Sequence, residues 1–130
     1  MIRLNICLIM VTLAALFTFG CQSPGAVDGV EIKPAPINEV RVSIAESYPP
    51  QVFVYIKGGL ADSCTTFHEL ETERSGNTIT IQVTTQRPKD AVCAQVYGFF
   101  EKNVNLGTDF TSGDTYIVNV NAQTTSFVMQ

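Results

Sequence analysis

From residue 39 onward the chain alternates apolar and polar residues, and turn-forming residues interrupt it roughly every eight to twelve positions. A strand sends successive side chains to opposite faces, so each run buries one face and wets the other. Val40, Val42 and Ile44 form the first such face. Tyr48-Pro49-Pro50 follows, which no central strand would tolerate because proline cannot donate to the ladder. In Gln51 to Lys57, Val52, Val54 and Ile56 share one face while Phe53 and Tyr55 share the other, and Gly58-Gly59 reads as the terminator. Thr66 to Arg74 and Thr78 to Thr85 flank Ser75-Gly76-Asn77, a hairpin connection. In its second arm Ile79, Ile81 and Val83 point inward, and Arg87-Pro88-Lys89-Asp90 ends the pattern. Ala94 to Leu106 is one bent strand or two, with a bulge at Gly98. Thr115 to Val120 pairs with Thr124 to Val128 across Asn121-Ala122-Gln123. About seven short antiparallel strands in this span predict an all-β, immunoglobulin-like sandwich over residues 39–130.

Two features precede that domain. Residues 1–20 read as a secretory leader: Arg3 gives the positive start, and Ile6 to Phe19 is almost unbroken apolar sequence. The run is shorter than the roughly 20 residues a spanning helix needs. Cleavage after Gly20 would leave Cys21 at the new N-terminus, where bacterial lipoproteins carry their acyl chains. Lipoprotein leaders usually place Leu three residues before the cysteine and a small residue two before it. Thr18 and Phe19 depart from that, and ordinary cleavage at Thr18-Phe19-Gly20 is the alternative. Cysteine parity favours acylation. Cys7 leaves with the leader, and setting Cys21 aside leaves an even pair, Cys64 and Cys93. Gln22 is not the Asp of inner-membrane retention, so outer-membrane delivery is expected in a two-membrane cell. Residues 21–38 carry Pro24, Gly25, Gly29, Pro34 and Pro36 and read as a flexible tether that holds the domain clear of the headgroups.

Charge narrows the partners. The chain has 8 basic and 12 acidic residues; losing Arg3 leaves 7 against 12, a net charge of −5. No cluster of Lys or Arg forms, so nucleic acid is a poor partner. The expected contacts are the membrane, through the N-terminal lipid, and an extracytoplasmic protein.

If each hairpin reverses direction, the loops around 58–65 and 86–93 meet at one end of the sandwich, bringing Cys64 to Cys93. A disulfide is expected in an exported domain; a metal-binding or catalytic thiol pair would need further ligands nearby. No cofactor motif is present. His68 is the sole histidine, and in a regular strand Glu69 and Glu71 lie on the face opposite it. Glu69, Glu71 and Glu73 share one strand face, as solvating charges usually do. Neither a Gly-x-Ser-x-Gly nor a Ser-x-x-Lys stands beside His68, so the reading is non-catalytic. A binding surface is expected on the loops beside the disulfide, through Leu60, Asp62, Arg87 and Lys89. The alternative contact is a sheet face bearing Phe53, Tyr55 and Phe99.

The stretches Asp62-Ser63-Cys64-Thr65-Thr66-Phe67, Glu73 to Thr78 and Thr85 to Cys93 resemble a small disulfide-bonded, Ig-like domain of bacterial secreted proteins and lipoproteins. The likeness continues through Gly113-Asp114-Thr115-Tyr116 and Val118 to Asn121. It implies export, the disulfide and the sandwich, and it implies no activity. Tyr116 resembles the tyrosine corner of such domains and reads equally as an ordinary core aromatic. Small Ig-like inhibitors of cysteine proteases are similar in size. Their Asn-Pro-Thr-Thr-Gly-type loop is absent, and Arg87-Pro88 is only faintly similar to their second loop. A protease-inhibitor-like module acting through the loops beside the disulfide is the alternative function.

Overall fold

The computed structural model describes residues 29–130. The expected leader, Cys21 and the start of the expected tether lie outside the described residues. Eight strands follow one another: β1 Val30–Pro34, β2 Ile37–Ala45, β3 Gln51–Leu60, β4 Thr66–Ser75, β5 Thr78–Pro88, β6 Gly98–Gly107, β7 Thr115–Val120 and β8 Gln123–Val128. They form a five-stranded sheet of β1, β4, β5, β7 and β8 against a three-stranded sheet ordered β2-β3-β6. The fold is an all-β sandwich. Most of its core is the set of side chains the alternation selects: Val52, Val54 and Ile56 from β3, Ile79, Ile81 and Val83 from β5, and Tyr116, Val118 and Val120 from β7. Each is buried because it sits on the one face of its strand that meets the opposite sheet.

β5 organises the larger sheet. One side pairs with β4 from end to end, Thr66 opposite Gln86 and Ser75 opposite Thr78. The other side is shared. β7 runs parallel along Thr78–Ile81, and β1 runs antiparallel along Thr84–Pro88. Asn121 fills the seam between them. It adopts φ 49°, the left-handed region that asparagine tolerates better than most residues. Its side-chain oxygen accepts from Val83 N–H at 2.9 Å, and its amide donates to Val83 C=O at 2.9 Å and Ala35 C=O at 2.8 Å. One side chain thus replaces the missing rung. Tyr116 is buried, and its hydroxyl accepts from Thr111 N–H at 2.8 Å. That return to the backbone upstream is tyrosine-corner geometry.

Four expectations are corrected. The tether does not extend to Asn38, because β1 and the start of β2 occupy residues 30–34 and 37–38. A proline at each end of the β1–β5 pairing, Pro34 and Pro88, removes a donor only where the ladder finishes. Arg87-Pro88 belongs to β5 for the same reason. Gly58-Gly59 does not end β3. A Cβ on Gly58 would coincide with the Phe100 ring and one on Gly59 with the Tyr97 hydroxyl, so both glycines make room inside the strand. Finally, the β5–β7 pair is parallel, so the sheet is not wholly antiparallel.

Candidate functional site

The β3–β4 loop and the β5–β6 connection meet at one end of the sandwich. β3 arrives there at Leu60, β4 leaves at Thr66, β5 arrives at Pro88 and β6 leaves at Gly98. Cys64 and Cys93 are joined in a disulfide with Cα atoms 5.7 Å apart. Ser63 N–H donates to Ala94 C=O at 3.1 Å, and Ala94 N–H returns to Ser63 Oγ at 2.9 Å.

Asp62 holds this end together from within. The sequence Asp62-Ser63-Cys64-Thr65 lets the carboxylate fold over its own loop. Oδ1 accepts from Cys64 N–H at 3.0 Å, Thr65 N–H at 2.9 Å and the Thr65 hydroxyl at 2.8 Å. Oδ2 takes Arg87 Nε at 2.7 Å. The rest of the guanidinium reaches Pro88 C=O at 3.0 Å and Ala91 C=O at 3.2 Å, and lies 3.3 Å from Cys93 Sγ. Asp62 is 8% exposed. The Arg87 hydrogen bond, then those of Thr65 and Cys64, hold its pKa at about 2 against the ordinary 3.8.

The four residues expected to face a partner therefore divide. Lys89 is exposed. Leu60 is the half-buried last residue of β3, opposite Gly98, and not an apolar residue on a turn. Asp62 and Arg87 are spent on each other and on the loop backbone. Sequence reasoning missed this because the two are 25 positions apart; the Asp-x-x-Thr turn was the legible half of the signal. Asp62, Cys64 and Cys93 also lie close enough to surround an ion, but both sulfurs are consumed by the disulfide and the carboxylate by four donors.

Acid should loosen this end. In the unfolded chain the Asp62 carboxyl takes a proton near its ordinary pKa, while the folded form resists protonation down to about 2. The stabilisation is complete above about pH 5 and is lost as pH falls from there through about 2. Urea unfolding at neutral pH and near pH 3 should show a smaller drop in Asp62→Asn than in wild type. Equal drops would mean that other groups govern the acid response.

His68 sits at a bulge between Phe67 and Glu69, which breaks the alternation expected of β4. Its Nε2 comes within 4.0 Å of Glu69, its own neighbour, and the strict opposition of the two side chains is corrected accordingly.

The outer face of the three-stranded sheet carries the alternative contact. Arg41 lies opposite Tyr55, which lies opposite Asn103, and Ser43, Phe53 and Asn105 form the next row. The Arg41 guanidinium sits 4.5 Å from the Tyr55 ring centroid. The Tyr55 hydroxyl donates to Glu101 Oε1 at 2.8 Å, a bond that raises the pKa of the phenol. Phe99 closes the face at the disulfide end, beneath Lys57 Nζ at 4.5 Å and edge-on to Tyr97 at 5.2 Å.

Fold and clamp together define a small, disulfide-stapled β-sandwich module. The chain belongs to the ORF11 beta-sandwich domain family, whose model matches residues 54–129. Two relatives come from Herpetosiphon aurantiacus. The "uncharacterized 10.2 kDa protein in HgiCIIM 5'region" is 46% identical over 84 residues, 64% of this chain and 89% of its own length. The corresponding protein in the HgiBIM 5'region is 47% identical over 74 residues, 56% of this chain and 90% of its own. No solved structure shows significant similarity to this chain.

Proposed function

We propose that this protein is an envelope-anchored lipoprotein whose sandwich is a non-catalytic binding module for an extracytoplasmic protein. Anchoring is supported by the leader, by the Gly20-Cys21 junction and by the even cysteine pair that remains once Cys21 is set aside. The observation that carries the binding reading is the outer face of the three-stranded sheet. Among the described residues no third layer covers it, and it mixes aromatic surface with both charge signs around Tyr55, Arg41 and Glu101. Aromatic and Arg side chains are the groups that dominate protein interfaces. The inhibitor alternative acts through the loops beside the disulfide, at the end that holds Asp62 and Arg87. Those side chains engage each other, so it gains no support.

Two measurements test this. Cys21→Ser should move the protein from the detergent phase to the aqueous phase; unchanged partition would remove the lipoprotein reading. A photo-crosslinking residue at Tyr55 should give a discrete adduct in the native envelope, while the same residue at Glu71 on the other sheet should not. No adduct at Tyr55 would remove this face as the contact.

A further inference from the structure

The exposed apolar side chains are not spread evenly. Of the eight large hydrophobic residues exposed among the described residues, Val92, Val96, Tyr97 and Phe99 fall within eight consecutive positions. Val92 is fully exposed, and Val96, Tyr97 and Phe99 are 63%, 51% and 52% exposed. From Ala91 to Phe100 the chain contains no charged residue, and Gln95 is its one polar side chain apart from the Tyr97 hydroxyl and the bridged Cys93. A domain that leaves such a run in water usually has something to set against it. The segment is also held in place. The disulfide fixes it at Cys93, the Ser63–Ala94 hydrogen bonds fix the next residue, and the Tyr97 ring lies against Gly59.

What faces this patch follows from where the chain enters. β1 begins at Val30, opposite Pro88, and Gly29 C=O accepts from Lys89 N–H at 2.8 Å. The N-terminal segment therefore joins the fold at the disulfide end, four residues before Cys93. Because β1 already begins at Val30, only eight links separate Cys21 from Gly29. Fully extended, they reach at most about 30 Å. The far end of the sandwich, where Tyr48 stands fully exposed, lies a further ten-residue strand away. At about 3.3 Å per residue that is about 30 Å more.

We infer that the disulfide end is a membrane-docking surface, with Val92, Val96, Tyr97 and Phe99 set into the headgroup region of the bilayer that holds the Cys21 acyl chains. The inference depends on the acylation proposed above. The chemistry suits an interface: tyrosine places its ring in the apolar boundary and its hydroxyl in water. Lys57 and Lys89 flank the patch and can carry their ammonium groups outward to the phosphates. The sandwich then stands on this end and presents the Tyr55 face sideways.

The chain contains no tryptophan, so one introduced by mutation reports alone. The full chain is produced in cells as Phe99→Trp and, for the opposite end, as Tyr48→Trp. It is then reconstituted into phosphatidylcholine vesicles with bromine-labelled acyl chains. Intact mass reads the state of Cys21 before reconstitution. Acylated F99W should lose emission and shift to shorter wavelength, while Y48W keeps its aqueous spectrum. Adding Val92→Ser and Val96→Ser, both at exposed positions, should reverse the F99W quenching. An acylated F99W that is no more quenched than Y48W overturns the docking surface and leaves the anchor standing. A mass without acyl chains overturns the anchor. In that case the mature chain is coupled through Cys21 to a maleimide lipid, and the same comparison decides the docking surface.

Discussion

Replacing Asn121 by alanine is expected to lower the unfolding free energy by about 2–4 kcal/mol, a large effect for a residue outside the core. The side chain makes three hydrogen bonds at the seam of the larger sheet. Alanine would orphan Val83 N–H and Ala35 C=O, both on residues buried in the core. Val83 C=O would keep a partner, because Ala35 N–H also donates to it at 2.8 Å. The backbone at φ 49° adds a second cost, since a Cβ without a local hydrogen bond disfavours that region. The two costs separate experimentally. Asn121→Gly should recover about 1 kcal/mol of the backbone part and none of the hydrogen bonds. Asn121→Asp would set a carboxylate oxygen against two carbonyls and should fare worst near neutral pH. Urea unfolding of the three variants tests this order. A change under about 0.5 kcal/mol in Asn121→Ala would mean that water replaces the amide at no cost.

Cys93→Ala is expected to cost about 2–5 kcal/mol, through a different route. The disulfide closes a sequence separation of 29, for which chain entropy alone predicts on the order of 3.5 kcal/mol. It acts mainly on the unfolded chain, so the folded strands should survive its removal. The native consequence is local. Residues 91–97 lie between β5 and β6 without ladder partners, and the bridge is their covalent attachment. Amide exchange should therefore quicken first at Ala94 and Val96, while β5 and β7 keep their protection up to global unfolding. Intact mass before and after reduction and alkylation checks the bridge itself. If two thiols alkylate freely in the unreduced protein, the bridge is absent. If the strands exchange as fast as the loop in Cys93→Ala, the disulfide is a global requirement.

The longer strands were legible because most of each carries a period of two, and the residues this selects in β3, β5 and β7 are ones the core buries. β1 was not legible. It is five residues long, holds only Val30 and Ile32 as apolar residues, and is flanked by Gly29 and Pro36, so composition outweighs period. The glycines of β3 misled for a related reason. Gly58 and Gly59 look like a stop because sequence shows the missing side chain and hides the ring that fills its place. The Asp62–Arg87 pair failed differently. Charges near chain turns are usually solvated, and although hairpin reversal brings the two regions to one end, no periodicity marks Asp62 and Arg87, the latter in β5 and 25 positions on, as partners. The apolar stretch 91–100 was the overlooked signal, since its lack of charge can be read without any structure.

The seam beside β5 also sets an order in time. A nascent chain emerges from its N-terminus, and β1 to β6 can be complete while one half of β5 still lacks its partner. That half is paired only when β7 has been made, and Asn121 reaches back 86 residues to Ala35. Contacts of such separation are slow to form, because a long loop must be ordered before any bond rewards it. Until then β5 presents an open, β-branched edge on which a second nascent chain could template. A chain that stops short of β7 should accumulate as a swapped or aggregated species, so Thr115–Val120 decides whether everything made before it is kept.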